Sequence, residues 1–120
     1  MPHVLVEYSS NLSEKILHRD TLMGLHNLLG EYADIENIKS RSVVRENFLV
    51  GDGSEEYAFV HVNLRLLPGR PKEVKQKMGN QIVQFLREIY GDSFREYFCE
   101  FTVDIEDMDK ECYTKLKLSK

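Results

Sequence analysis

Pro2 is the residue whose type and position first suggest chemistry. It opens the run Pro2-His3-Val4-Leu5-Val6-Glu7-Tyr8, which predicts a β-strand, and proline is tolerated at the first residue of a strand because no ladder donor is needed there. If Met1 is removed, Pro2 carries a free secondary amine. An α-amino group titrates at roughly 7.7–8, and burial or nearby cations lower its pKa further. Pro2 is therefore a candidate acid–base residue, although a proline at position 2 is by itself more often incidental.

Basic residues provide candidate partners for that amine. Lys39, Arg41 and Arg45 lie within seven residues of one another, and Arg70 follows Gly69 at a predicted turn. In an extended segment, residues 39, 41, 43 and 45 project to one face. The net charge is −4, so a confined basic cluster favours a small anionic ligand over nucleic acid, which needs a broad basic footprint. Each charge taken singly is also typical of an ordinary solvated surface.

Several other function classes receive no support from the sequence. No apolar run approaches the ~20 residues of a membrane span, and the N-terminus has no signal-peptide pattern, which predicts a cytoplasmic protein. The histidines lack metal-ligand spacing, and no serine or cysteine has the context of a nucleophile. Cys99 and Cys112 show no CxxC spacing and are expected to stay reduced. We therefore expect no metal.

The elements that must position these residues follow from hydrophobic periodicity. After the first strand, leucines and Ile16 recur at mostly helical spacing from Leu12 to Gly30, and residues 38–48 predict a second extended segment. The glycines of Gly51-Asp52-Gly53-Ser54 predict a hairpin connection rather than a phosphate loop, because no helix follows them. Residues 57–66 alternate strictly and predict a central strand. A helix is expected from Pro71 to Gly91, followed by a last strand over residues 99–105.

This order predicts a duplicated β-α-β unit and an α+β fold. The chain of 120 residues suits one domain, with pseudo-repeats at about 2–49 and 56–106. Right-handed crossovers make the strands within each half parallel and place both helices on one face of a four-stranded mixed sheet. The other face of the sheet is then not covered by a helix. We expect Tyr8, Tyr57 and Phe59 to lie there, and oligomerisation is the simplest way to cover them.

With an N-terminal proline, a duplicated β-α-β unit and basic residues on the returning strand, the chain resembles the tautomerase superfamily, which includes 4-oxalocrotonate tautomerase and MIF-like proteins. Four segments narrow the resemblance to the 5-carboxymethyl-2-hydroxymuconate Δ-isomerase family. They are Pro2–Glu7 with Ser9 and Asn11, Ile38-Lys39-Ser40-Arg41, Tyr57-Ala58-Phe59-Val60-His61 and Gly69-Arg70. The resemblance weakens across residues 12–30 and after about residue 106.

The resemblance implies a cofactor-free homotrimer with active sites near subunit contacts. Its reaction would be the keto–enol isomerisation of an unsaturated hydroxy-acid in homoprotocatechuate breakdown. Pro2 would carry the proton, and Arg70 would bind a substrate carboxylate, as would Lys39 and Arg41. Independently of the family, such chemistry needs a desolvated wall, which an aromatic residue such as Phe59 or Tyr57 could supply.

Lys39 departs from the family pattern, which has Arg-Ser-Arg where this chain has Lys39-Ser40-Arg41. Lysine keeps the charge but loses the planar fork that binds a carboxylate bidentately, so Arg41 or Arg45 would have to provide that geometry. Two alternatives to the family's substrate and activity therefore stay open. One is a tautomerase acting on simpler enols of the 2-hydroxymuconate or phenylpyruvate type. The other is a catalytically silent trimer that binds small carboxylates or proteins, which would follow if Met1 is retained and the Pro2 nitrogen is an amide.

Overall fold

A computed structural model describes residues 2–120 as four strands, two α-helices and two short 3-10 helices. Their order is β1 (His3–Ser9), a 3-10 helix (Ser10–Lys15), α1 (His18–Leu29), a 3-10 helix (Ile35–Asn37), β2 (Lys39–Arg45), β3 (Tyr57–Leu66), α2 (Lys72–Tyr90) and β4 (Phe98–Asp107). The fate of Met1 lies outside the described residues. Among the helices of residues 2–120, none is both long and apolar enough to cross a membrane.

The strands form one mixed sheet in the order β2-β1-β3-β4. β1 and β2 are parallel, β3 and β4 are parallel, and β1 and β3 are antiparallel, which confirms the predicted duplicated β-α-β fold. The predicted hairpin between β2 and β3 is wrong, because β1 lies between these strands. The connection over residues 46–56 therefore crosses the end of β1, and its Gly51 and Gly53 adopt positive φ angles of 55° and 87°.

The predicted helix over residues 12–30 is interrupted. A 3-10 helix ends at Lys15, Ile16 is extended, and α1 begins at His18. Gly24 in α1 permits close packing against α2, because a Cβ atom at this position would collide with the ring of Phe85. Glycine lowers the helix propensity of α1, but its missing side chain allows the two helices to cross closely.

Both helices cover the same face of the sheet, and the core lies between them. The even-numbered residues of β1 and β3 point into this core, and α2 contributes a stripe of buried side chains at helical spacing; the fully buried members of these elements include Val4, Val60, Val62, Leu64, Met78, Ile82 and Leu86. Tyr8 belongs to this core, with only 4% of its surface exposed. Its predicted position on the uncovered face is therefore wrong, because it shares the alternation of Val4 and Val6.

The opposite face, here called the open face, carries the odd-numbered side chains of β1, β2 and β3. His3, Lys39 and Arg65 are paired in register at one end of it. We call this the proline end, since Pro2 precedes His3. At the other end, Phe48 contacts Phe59 with ring centroids 6.0 Å apart, and Tyr57 contacts Phe98 at the same distance. We call this the aromatic end.

Candidate active site

Pro2 is buried at the proline end of the sheet. Its carbonyl oxygen accepts a hydrogen bond from the backbone N–H of Lys39 at 3.1 Å. This bond continues the β1–β2 ladder by one residue beyond His3 and fixes the proline against the start of β2. The ring nitrogen takes no part in the ladder, which is the condition under which proline is accepted at a strand terminus.

Lys39 and Arg41 project from β2 onto the open face, as the alternation predicted. Both side chains are exposed. Lys39 Nζ donates to the carbonyl of Asn37 at 3.3 Å, and Arg41 Nη2 lies 3.4 Å from His3 Nδ1. Burial, followed by the charges of Arg41 and Lys39, lowers the pKa of His3 below its ordinary value of 6.5. His3 is therefore neutral near pH 7, and its Nδ1 accepts from the arginine.

Arg70 lies in the loop between β3 and α2, which leaves the sheet at the proline end. Its Nη2 donates to the carbonyl of Tyr32 at 2.9 Å, and the Tyr32 hydroxyl donates to Gln81 Oε1 at 2.5 Å. Gly69, with φ of 130°, provides the turn that a side-chain-bearing residue would adopt only under strain. The arginine is thus fixed against the α1–β2 connection, beside the segment that leads to Lys39.

In the part of the chain that the structure describes, Lys39, Arg41 and Arg70 all lack an acidic partner. Among residues 2–120, no carboxylate lies within ion-pair distance of Lys39, Arg41 or Arg70, although other basic side chains of the molecule have acidic partners. Their hydrogen bonds go to neutral carbonyl and imidazole groups instead. The proline end therefore keeps uncompensated positive charge, which is what a carboxylate ligand or a developing enolate requires.

Phe59 and Arg45 lie at the aromatic end, away from this cluster. The backbone N–H of Phe59 donates to Ser9 Oγ at 3.0 Å, so Phe59 lies at the far end of β1 from Pro2. Six residue steps at about 3.3 Å separate the ends, or roughly 20 Å. Arg45 Nε donates to Glu7 Oε2 at 2.6 Å. Within one subunit, the structure thus brings Pro2, Lys39, Arg41 and Arg70 to one end and leaves Phe59 apart from them.

Ser9 and Asn11, two residues on which the family resemblance rests, have structural contacts at that same far end. Ser9 is fully buried and accepts the N–H of Phe59, while Asn11 Nδ2 donates to the carbonyl of Tyr57 at 2.8 Å. They connect the end of β1 to the start of β3.

Behind β2, two histidines of α1 contact serines that alternate with the cations. His26 Nε2 lies 2.7 Å from Ser40 Oγ, and His18 Nδ1 lies 3.0 Å from Ser42 Oγ. Burial lowers the pKa of His26 below 6.5. The strand that carries Lys39 and Arg41 is therefore also held from the helix side, through the hydroxyl groups of its serines.

The sequence did not identify the C-terminal segment as part of this region. After β4, Met108 N–H donates to the carbonyl of Leu66 at 2.6 Å, and the chain turns back over the open face. There Tyr113 contacts His3, with 2.9 Å between its hydroxyl and Nε2. The two residues are 110 positions apart, and no local pattern in the sequence signals such a contact.

Comparison with known proteins gives concordant matches. The family described as 5-carboxymethyl-2-hydroxymuconate isomerase matches residues 2–118. The 5-carboxymethyl-2-hydroxymuconate Δ-isomerase of Escherichia coli is 24% identical over 110 residues, covering 90% of this chain and 87% of that protein. The crystal structure of a 5-carboxymethyl-2-hydroxymuconate isomerase from Deinococcus radiodurans R1 is 26% identical, with a TM-score of 0.87 and coverage of 98% of this chain and 90% of the other.

A more distant structure shares the fold alone. The W0 fused 4-OT wild-type symmetric trimer is 17% identical, with a TM-score of 0.65, and the match covers 92% of this chain and 91% of that one. The family match and the fold together define an isomerase with the tautomerase fold. The chain belongs to the 5-carboxymethyl-2-hydroxymuconate isomerase family.

Proposed function

We propose that this isomerase moves a proton within an unsaturated 2-hydroxy polycarboxylate of the 5-carboxymethyl-2-hydroxymuconate type, with the amine of Pro2 as acid and base. The observation that carries the proposal is the backbone bond between Pro2 and Lys39 at 3.1 Å, which holds Pro2 at the sheet end where Lys39, Arg41 and Arg70 have no acidic partner. The reaction needs no cofactor in this scheme. A cytoplasmic role in aromatic catabolism is the setting that we expect.

The proposed chemistry requires three contributions from these residues. The Pro2 amine, freed by removal of Met1, accepts a proton from the substrate, and the electron pair left behind spreads through the conjugated system as a dienolate. Cations close to the amine favour its neutral, proton-accepting form. Lys39, Arg41 and Arg70 anchor carboxylates and stabilise the enolate oxygen, and the protonated amine then returns the proton to a carbon atom.

The presence of lysine at position 39 affects which enol the site can bind. A lysine ammonium acts as a point charge, whereas arginine presents a planar fork to a carboxylate. The arginine nearest to Lys39 on the open face is Arg41, whose neighbour is His3; Arg45 is bound to Glu7 at the other end. A simpler enol of the 2-hydroxymuconate or phenylpyruvate type is therefore the second candidate substrate.

A homotrimer is part of the proposal, and the aromatic end supports it. Phe98 and Leu49 are 66% and 78% exposed there, which is unusual for large apolar side chains beside an aromatic cluster. In a closed ring, the aromatic end of one copy would meet the proline end of the next, so Phe59 would reach the proline of a neighbouring subunit. A trimer would have a mass of about 42 kDa, three times 14.0 kDa, which light scattering measures directly.

Co-expression tests whether Phe59 serves a neighbouring subunit. Pro2→Ala and Phe59→Ala chains carrying different tags are purified as mixed trimers. If each site combines two adjacent subunits, about one site in three of a mixed trimer regains both residues, whichever chain is present twice, and activity rises above that of either parent. Mixed trimers no more active than the parents would remove Phe59 from the shared site.

Mass spectrometry and enol ketonisation test the role of Pro2. The untagged protein is expected to lack Met1 and to ketonise the polycarboxylate enol, and Pro2→Ala is expected to lower the rate by at least about two orders of magnitude, the usual effect of losing a general base. Wild-type rates in Pro2→Ala would refute the mechanism. Retained Met1 together with no turnover of any enol would instead favour the catalytically silent trimer.

A further inference from the structure

A cavity of about 460 Å³ lies on the open face at the proline end. Its floor is formed by His3, Leu5, Arg41, Asn63 and Arg65, and residues of the C-terminal segment 108–113 form its roof. Its volume is within the range of small-molecule sites. Its lining includes His3, the residue that follows Pro2, so the cavity lies at the same end of the sheet as the candidate catalytic amine.

Hydrogen bonding through His3 connects the roof of this cavity to a cation in its floor. Arginine can only donate, so the 3.4 Å contact from Arg41 Nη2 requires His3 Nδ1 to be the acceptor. The proton of the neutral imidazole is then on Nε2, which donates to the Tyr113 hydroxyl at 2.9 Å. The rings of His3 and Tyr113 also meet edge to face, with centroids 5.8 Å apart. Tyr113 thus holds the imidazole that orients Arg41.

The charges around the cavity favour an anion. Arg65 has Glu106 as its partner at 3.4 Å, but both side chains are about half exposed, and such pairs contribute little. Arg65 therefore retains donors for a ligand. Asp109 is the one acidic residue in the lining, and its Oδ1 accepts the backbone N–H of Glu111 at 3.0 Å. Arg41 and Arg65 leave an excess of positive charge, with the Asn63 amide beside them and Leu5 and Met108 as apolar walls.

We propose that this cavity binds the carboxylate-bearing arm of the substrate that is remote from the reacting atoms, with Arg65 as a specificity-determining residue and Tyr113 as a positioning residue for Arg41. The inference rests on the proposed function, since it assigns one part of that substrate to the cavity. The two guanidinium groups can bind a terminal carboxylate, and the apolar walls can contact the short carbon chain that carries it. The C-terminal segment thereby selects polycarboxylate enols over monocarboxylate enols.

Arg65→Gln tests the selectivity, with kcat/KM measured for a polycarboxylate enol and for the monocarboxylate phenylenolpyruvate. The ratio of the two values is expected to fall about 10- to 100-fold, as for loss of a charge-assisted hydrogen bond, and Arg65→Lys is expected to restore part of it. Arg95→Gln, which removes an exposed arginine before β4, is the matched control with an unchanged ratio. An equal loss on both substrates, or no loss, overturns the proposal.

Tyr113→Phe tests the positioning role and keeps the ring contact with His3. We expect KM for the polycarboxylate to rise several-fold with little change in kcat, because the hydroxyl acts on binding through Arg41. A fall in kcat with unchanged KM would contradict this role.

Calorimetric titration with tricarballylate, an unreactive tricarboxylate, separates this proposal from the proposed reaction. We expect Arg65→Gln to weaken binding at least about tenfold relative to wild type and to Arg95→Gln. Weakened binding without turnover of any enol by wild type would refute the reaction and support the cavity. Turnover by wild type with equal tricarballylate binding in Arg65→Gln would refute the cavity and leave the reaction standing.

Discussion

The two ends of the open face carry similar residue types in different surroundings. At the aromatic end, Arg45 is bound to Glu7 at 2.6 Å beside the Phe48–Phe59 pair. At the proline end, Arg41 projects from the same strand, two pleats away, and its contact is the neutral His3 at 3.4 Å. Arg45 is largely satisfied because its bond to Glu7 is short and the Glu7 side chain is only 25% exposed, whereas Arg41, which faces an imidazole, keeps its charge for a ligand. Availability of the cation, rather than its presence, distinguishes the candidate site from the rest of the face.

Among the variants of the basic residues, Arg70→Ala is expected to show the largest loss of kcat/KM, smaller only than that of Pro2→Ala. Removing a charged donor from substrate should lower kcat/KM up to about 100-fold, mostly through a higher KM. Steady-state kinetics measures the split, and Arg70→Lys should recover part of the loss. An unchanged kcat/KM in Arg70→Ala would remove this arginine from the site.

Arg41→Gln and Arg45→Gln compare the two ends directly. The same substitution on the same strand should raise KM about tenfold at position 41, and change it less than about twofold at position 45, where only an ion pair with Glu7 is lost. Both variants are measured on one enol at one salt concentration. Equal effects would mean that pairing with Glu7 does not decide which arginine binds substrate.

Lys39→Arg tests the proline end by introducing the arginine that the family resemblance leads us to expect at this position. A planar fork in place of a point charge should lower KM for a polycarboxylate enol by about threefold. Lys39→Gln is the opposing control and should raise KM. A higher KM in Lys39→Arg would show that this chain uses lysine for a differently shaped substrate.

Acid sensitivity of stability is the smallest expected effect. The folded-state pKa of His26 is lowered by burial, so between that value and about 6.5 the unfolded state binds more protons than the folded state. The contribution of His26 to stability is therefore constant above about pH 7, and stability falls as the pH drops through this window. His26→Gln, which can keep a hydrogen bond to Ser40, should show a smaller decrease in Tm between pH 7.5 and pH 5.5. An identical decrease would assign the acid sensitivity to other groups, of which His3 is the first to test.

Much of the fold could be predicted because it follows local periodicity. The strict alternation over residues 57–66 and the helical stripe after Pro71 correspond to β3 and α2. The pairing of strands could not be predicted in the same way. A glycine-containing turn favours a hairpin, but β2 pairs only with β1, because the crossover through α1 brings these two strands together. Tyr8, in contrast, follows the local alternation of Val4 and Val6, so the period of its own strand would have placed it in the core.

The sequence by itself determined which residues could do chemistry: a proline before a strand, alternating cations at positions 39, 41 and 45, and an arginine at a turn. These are properties of residue type and short spacing, which the backbone periods of strands and helices translate directly into position. Only the tertiary structure decided which of them meet. Glu7 neutralises Arg45, about one strand length separates Phe59 from Pro2, and Tyr113 returns to His3 across 110 residues. Such contacts depend on strand order and on where the chain ends cross the sheet, which are set by packing of the whole core rather than by any local pattern.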